Sequence, residues 1–197
     1  MNNNSKAAAV STVGYLCLAL AGWMFSMGTA AWYTKPYDVA IFYPLTAVLA
    51  VMAILAFVQG RALDSIVFFA GTALLGSACA YGVALDAGRL ADPLSYLGWF
   101  AGAFAVFFCY IWAGSLKSGV NRMLFLLGAW LTMLALAIGC WSDVSGFLIL
   151  GGYIGLVTSI FAAITSATEV LRMGVRIDPN FETSVGTGPA VKPIAAD

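Results

Sequence analysis

A chain of 197 residues with 62% apolar and only 9% charged side chains is not built for water, because soluble domains carry roughly 25% charged residues. Nine basic residues balance nine acidic ones and histidine is absent, which excludes an electrostatic nucleic-acid partner, histidine metal sites and histidine acid–base catalysis. The four cysteines (Cys17, Cys79, Cys109 and Cys140) are widely spaced in apolar stretches without a Cys-x-x-Cys pair, so they read as packing residues rather than zinc ligands or a disulfide frame.

Charged positions divide the chain into six uncharged intervals of 28, 22, 21, 24, 20 and 25 residues. A helix needs about 20 apolar residues to cross a hydrocarbon core of roughly 30 Å, so each interval allows one crossing and none allows two. Helices are expected because each satisfies its own backbone hydrogen bonds in lipid, and the alternation of a barrel strand is missing. The first span is predicted over 10–32 and carries Gly22-x-x-x-Ser26. It is too long for a signal-peptide core and five spans follow it. Next come 39–58 and 65–85, then 94–116, which opens with Gly98-x-x-x-Gly102, and 123–141. The sixth, 146–171, contains Gly151-x-x-x-Gly155 and is long enough to tilt. Small residues four apart let helix backbones approach closely in lipid. The expected fold class is an all-α, six-helix transmembrane bundle over 10–172, with a short segment 1–9 before it and a Gly-, Pro- and Thr-rich tail 173–197 expected to be disordered at its end. The short loops predict that consecutive helices are antiparallel neighbours.

If the N-terminus, the loops after the second and fourth spans and the tail share one side, that side holds Lys6, Arg61, Lys117, Arg122, Arg172, Arg176 and Lys192, against Lys35 and Arg89 on the other. Seven against two is a positive-inside bias, which predicts both termini in the cytoplasm and a multi-pass protein of the cell (inner) membrane. Trp32, Tyr33, Tyr37, Tyr43, Tyr96, Trp99 and Trp141 then fall near the outer ends of their spans, as interfacial belts do.

All eighteen charges are expected at or beyond span ends, so the default signature of an intramembrane functional site is missing. Glu169 comes nearest to burial and is read as pairing with Arg172, Lys117 or Arg122, or as handling a proton or solute. No nucleotide-binding loop, clustered carboxylates or Ser-His-Asp set can be assembled, so no enzyme, cofactor or metal is expected. A polar lining of hydroxyls is available from Thr29, Thr46, Thr72, Thr132, Thr158, Thr165, Ser77 and Tyr15.

Several segments carry a resemblance. Gly152-Tyr153-Ile154-Gly155-Leu156, followed by Glu169-Val170-Leu171, resembles the sixth helix of the acetate uptake transporter family. Gly114-Ser115-Leu116-Lys117 resembles that family's turn after helix four, and the Leu-Ala-Leu-Ala-Ile-Gly run of 134–139 resembles the end of its helix five. Gly60 and Phe68 lie where the family has its G-N-T-F-G…F segment. The resemblance implies a hexamer of six-helix protomers, each with a narrow path for small monocarboxylates. It places a hydrophobic constriction at Tyr15, at Gly71 or its neighbour Thr72, and at Ala129, with a substrate-influencing position at Ala162. The chain departs from the family where Ala-Ala-Ala-Val-Ser-Thr-Val (7–13) replaces N-P-A-P-L-G-L. It also lacks the glutamate closing helix two and has Cys140 in place of an asparagine.

The expected function is thus a transporter or channel for a small organic anion, acetate- or succinate-like, with the proton carried, if at all, on the undissociated acid. The alternatives are a urea or short-amide channel and a non-transporting membrane scaffold. Expected partners are the solute, the bilayer and further copies of the chain.

Overall fold

The computed structural model describes residues 3–32 and 39–174, with side chains placed over 7–32 and 42–171. Over them the chain forms six helices: α1 (Asn3–Thr29), α2 (Val39–Val58), α3 (Ala62–Asp86), α4 (Pro93–Ser115), α5 (Val120–Ser142) and α6 (Ser145–Gly174). No strand occurs among the described residues. Five of the helices are long and apolar enough to cross a membrane, and α2 adds a shorter apolar stretch, Phe42–Val58. The fold is that of an all-α, multi-pass membrane bundle. Pro44 lies near the start of α2, where its missing N–H removes one bond of the helical ladder.

Most helices overrun the charge-free intervals by a few residues, because Asp64, Asp86, Arg122 and Glu169 are themselves helical. The first helix departs the other way. It stops at Thr29, since Ala31 adopts a positive φ of 62° and turns the chain, leaving Trp32 outside. The α3 end turns at Gly88, and α5 begins after Gly119 at φ 108°, a conformation L side chains rarely adopt. Asp92 caps α4 by accepting from the Ser95 N–H at 3.1 Å, with Pro93 following it. That backbone hydrogen bond holds the Asp92 carboxyl below its ordinary value. Stabilisation by the cap is therefore complete above the ordinary carboxylate range and is lost as pH falls through the lowered value.

The helices form a ring in the spatial order α3–α2–α1–α6–α5–α4, closed by a light contact between α3 and α4. Consecutive helices are therefore neighbours except across that closing contact, and the first and last helices form the most extensive seam. Where α3 and α4 do meet, Tyr81 stacks on Tyr96 with centroids 5.8 Å apart and donates its hydroxyl to the Pro93 carbonyl at 3.2 Å.

Small residues make the close approaches. A Cβ on Gly152 of α6 would sit 2.7 Å from the Ala30 Cα at the end of α1, and one on Gly155 would collide with the Ser26 hydroxyl. A Cβ on Gly22 would meet the Ser159 Oγ at 2.7 Å. On the other side of the ring, Gly98 and Gly102 of α4 receive the Trp141 indole of α5, which would lie 2.8 Å from a Cβ at either glycine. Each predicted small-residue pair thus marks a helix–helix contact.

Trp32, Tyr43, Tyr96, Trp99 and Trp141 are exposed and all lie at one end of the bundle, where α1 and α5 finish and α2 and α4 begin. Trp99 and Trp141 pack edge to face at 5.3 Å. Arg61, Lys117 and Arg122 lie at the opposite end, beside the starts of α3 and α5 and the finish of α4. Tyr33, Lys35, Tyr37, Asp38, Arg176 and Lys192, with most of the tail, lie outside the described residues, as do the side chains of Lys6 and Arg172.

Candidate functional site: a central cavity and the charges beside it

At mid-depth the ring encloses a cavity of about 70 Å³, room for a few waters or a small solute. Its walls come from α1, α3, α5 and α6, with Phe108 reaching in from α4. They are apolar except for four hydroxyls, Ser26, Thr132, Thr158 and Ser159. Thr158 donates to the Ile154 carbonyl at 2.8 Å and Ser159 to the Gly155 carbonyl at 2.9 Å, so their oxygens remain as acceptors. Thr132 differs. It is only 3% exposed, and its Oγ1 has no hydrogen-bond partner among the described residues. A buried hydroxyl left unpaired costs roughly 1–3 kcal/mol.

Two of the constriction positions implied by the family resemblance, Gly71 and Ala129, line this cavity. The space a larger side chain would fill at Gly71 is taken by Leu18, whose Cδ2 lies against the glycine from α1. The expected widening at Gly71 is thus offset by a residue of another helix. Thr72 is not on the lining, and its hydroxyl bonds the Phe68 carbonyl at 2.8 Å. Ala162 is fully buried on α6, one turn beyond Thr158 and Ser159 on the same face, past the end of the cavity.

Tyr15 sits just past the cavity, completely buried, between two rings: Phe68 of α3 at 5.3 Å and Phe125 of α5 at 5.9 Å, both met edge to face. Phe125 is itself a cavity wall. Behind this aromatic layer lies a charged cluster. Asp64, 2% exposed, accepts from Ser11 at 2.7 Å and from the Tyr15 hydroxyl at 3.1 Å. It pairs with Arg61 at 2.7 Å and with Arg122 at 3.5 Å. Arg122 also donates to Glu169 at 3.0 Å, and its guanidinium lies over the Tyr15 ring, 5.6 Å from the centroid. Arg61 in turn donates to the Ala7 carbonyl.

Asp64 and Glu169 lie within a turn of span ends, as expected, but both are buried. Asp64 is inside the apolar helix Ala62–Asp86, and Glu169 is inside Ser145–Leu171. Of the partners considered for Glu169, Arg122 is in contact with it. The cluster is tolerable because buried charges are stable when paired and hydrogen-bonded on all sides. One sequence signal did point to it: Arg61 and Asp64 are three apart, the spacing of helix-surface neighbours. No group of three or more His, Cys, Asp or Glu residues poised for a metal occurs among the described residues.

Among the described residues, six helices thus ring a slender, mostly apolar cavity with aromatic rings beyond one end. The solved structure of the bacterial acetate channel SatP has this fold: it superposes with a TM-score of 0.76, covering 91% of this chain and 98% of that one at 17% sequence identity. The fold implied by the family resemblance is thus the fold found. No family model and no curated protein matches the sequence.

Proposed function

We propose that the chain is a divergent member of the acetate uptake transporter family and conducts a small organic acid, with an acetate-like monocarboxylate as the solute, through its own helical ring. The observation that carries this reading is the unpartnered, buried hydroxyl of Thr132, a lining residue of a cavity that is apolar apart from four hydroxyl side chains. An unpaired donor beside the cavity suits a carboxyl oxygen, while the apolar walls suit a methyl group and limit size. The fold shared with an acetate channel over nearly the whole chain adds weight. In this reading the basic end, with Arg61 and Arg122, faces the cytoplasm and both termini lie there. Any proton crosses as part of the undissociated acid, and protomers associate as hexamers in the cell membrane.

The test is uptake of labelled acetate into proteoliposomes, with urea and lactate in parallel and empty vesicles as control. Acetate uptake above control is expected. Ala129→Phe, which fills the cavity wall, should reduce it to background. Thr132→Val keeps the shape and removes the donor, and should lower uptake about tenfold, the change that ~1.4 kcal/mol produces. Acetate uptake equal to that of empty vesicles, from folded protein, would sink the assignment, and a urea signal in its place would point to an amide channel.

A further inference from the structure

Beyond the cavity, residues of α1, α3 and α5 meet around the Asp64 carboxylate, and α6 joins them through Glu169 on Arg122. Ser11 and Tyr15 come from α1, Arg61 and Asp64 from the start of α3, Arg122 from the first turn of α5 and Glu169 from the last turns of α6. The cluster touches the cavity's end wall through one group, the Tyr15 ring, which is wedged between Phe68 and Phe125 and held at its hydroxyl by Asp64. The ring lies directly behind the wall residue Phe125, and the Arg122 guanidinium lies over its face.

The contacts of Asp64 are unequal. Among the described residues, its Oδ2 is held by both Ser11 and Arg61 at 2.7 Å, whereas its Oδ1 has the Tyr15 hydroxyl at 3.1 Å and Arg122 at 3.5 Å. The Oδ1 side is therefore the weaker side of the site. It is also the side that holds the ring in place.

Building on the monocarboxylate path above, we propose that Tyr15 is the leaf of a gate at this end of the cavity, latched by the Asp64 Oδ1–Arg122 pair. The carboxylate of the solute opens the gate by taking Asp64's place on Arg122. Arg122 then acts as the anion-recognising residue of the path. Asp64 keeps Arg61 and Ser11 throughout, so neither acid is left buried without a partner when the latch opens. A neutral amide lacks the charge to compete with Asp64 and leaves the gate closed. The arrangement thus makes opening specific for anions without any charge in the cavity itself.

The gate can be tested independently of transport by thiol labelling. Ala129→Cys is placed on the cavity wall in a chain whose four native cysteines are replaced by alanine. An impermeant methanethiosulfonate reagent is then added to vesicles that expose an N-terminal tag, which marks the Asp64 end. Labelling should be slow in this parent and about tenfold faster with Tyr15→Phe or Asp64→Asn, the shift that ~1.4 kcal/mol gives a gating equilibrium. Both replacements keep side-chain volume. Acetate should accelerate labelling of the parent saturably, acetamide should not, and Arg122→Gln should abolish the acetate effect.

Equal rates in the parent, Tyr15→Phe and Asp64→Asn would overturn the gate. Acceleration by acetamide as strong as by acetate, or an acetate effect that survives Arg122→Gln, would overturn the role of Arg122. The two readings fail separately. Faster labelling of the variants without acetate uptake keeps the gate and removes the solute assignment; acetate uptake with invariant labelling does the reverse.

Discussion

Gly152→Leu is expected to destabilise the bundle by about 3 kcal/mol or more, the upper end of what overpacking costs. The position has no slack, because a Cβ there already falls 2.7 Å from the Ala30 Cα and 2.8 Å from its Cβ. The neighbour is backbone, held by the Ala30 N–H donating to the Ser26 carbonyl at 2.8 Å, so it cannot swing aside as a side-chain tip would. Separating α1 from α6 would also break the Ser166 hydroxyl's bond to the Thr12 carbonyl at 2.9 Å and open the longest seam of the ring. Gly114→Ala is the matched control: nothing lies within 4 Å of a Cβ at this helical glycine, and removing glycine's excess backbone freedom should stabilise by about 0.4–1 kcal/mol. Thermal melts of both variants in detergent check the pair. A Gly152→Leu melt equal to the parent would mean that α1 and α6 do not meet as described.

Asp64→Leu should be comparably damaging, costing about 3–5 kcal/mol, because breaking a buried ion pair leaves the partner charge uncompensated. Arg61 would lose its carboxylate and Arg122 one of two, while Ser11 and Tyr15 would lose their acceptor. Asp64→Asn should cost less, about 1–3 kcal/mol, since the amide oxygen still accepts from the hydroxyls. Denaturation of the two variants side by side measures the difference. Should Asp64→Leu melt with the parent, the carboxylate would not be paired as described.

Much of the fold was readable from the positions where charge is absent. In lipid a helix has to be apolar for its whole crossing, so six long uncharged intervals imposed six helices, and the glycine pairs marked faces that do pack. The same logic did not reveal that two charges at the span ends would be buried. Asp64 and Glu169 sit inside helices because Arg61 and Arg122 meet them there, and those pairings join residues up to 58 and 47 positions apart. That reach is partly a matter of tertiary geometry: only the Arg61–Asp64 contact is local in sequence. Gly71 and Ala129 reach the cavity wall, yet the width of the cavity there could not be judged from either alone, since Leu18 of another helix enters the gap at Gly71. Ala162 and Thr72 show the limits of register. One turn along a helix, or one residue around it, moves a side chain off the wall.

The cluster of Arg61, Arg122, Asp64 and Glu169 holds two guanidiniums and two carboxylates, and these cancel. A membrane potential does work of about 2.3 kcal/mol per 100 mV on each elementary charge carried across it, but a neutral group moving as a unit carries none. The electric field of an energised cell therefore has no net purchase on this cluster while its pairs are intact. In the proposed gate, opening is then left to the solute that reaches Arg122, and the resting cluster is the same in polarised and depolarised membranes.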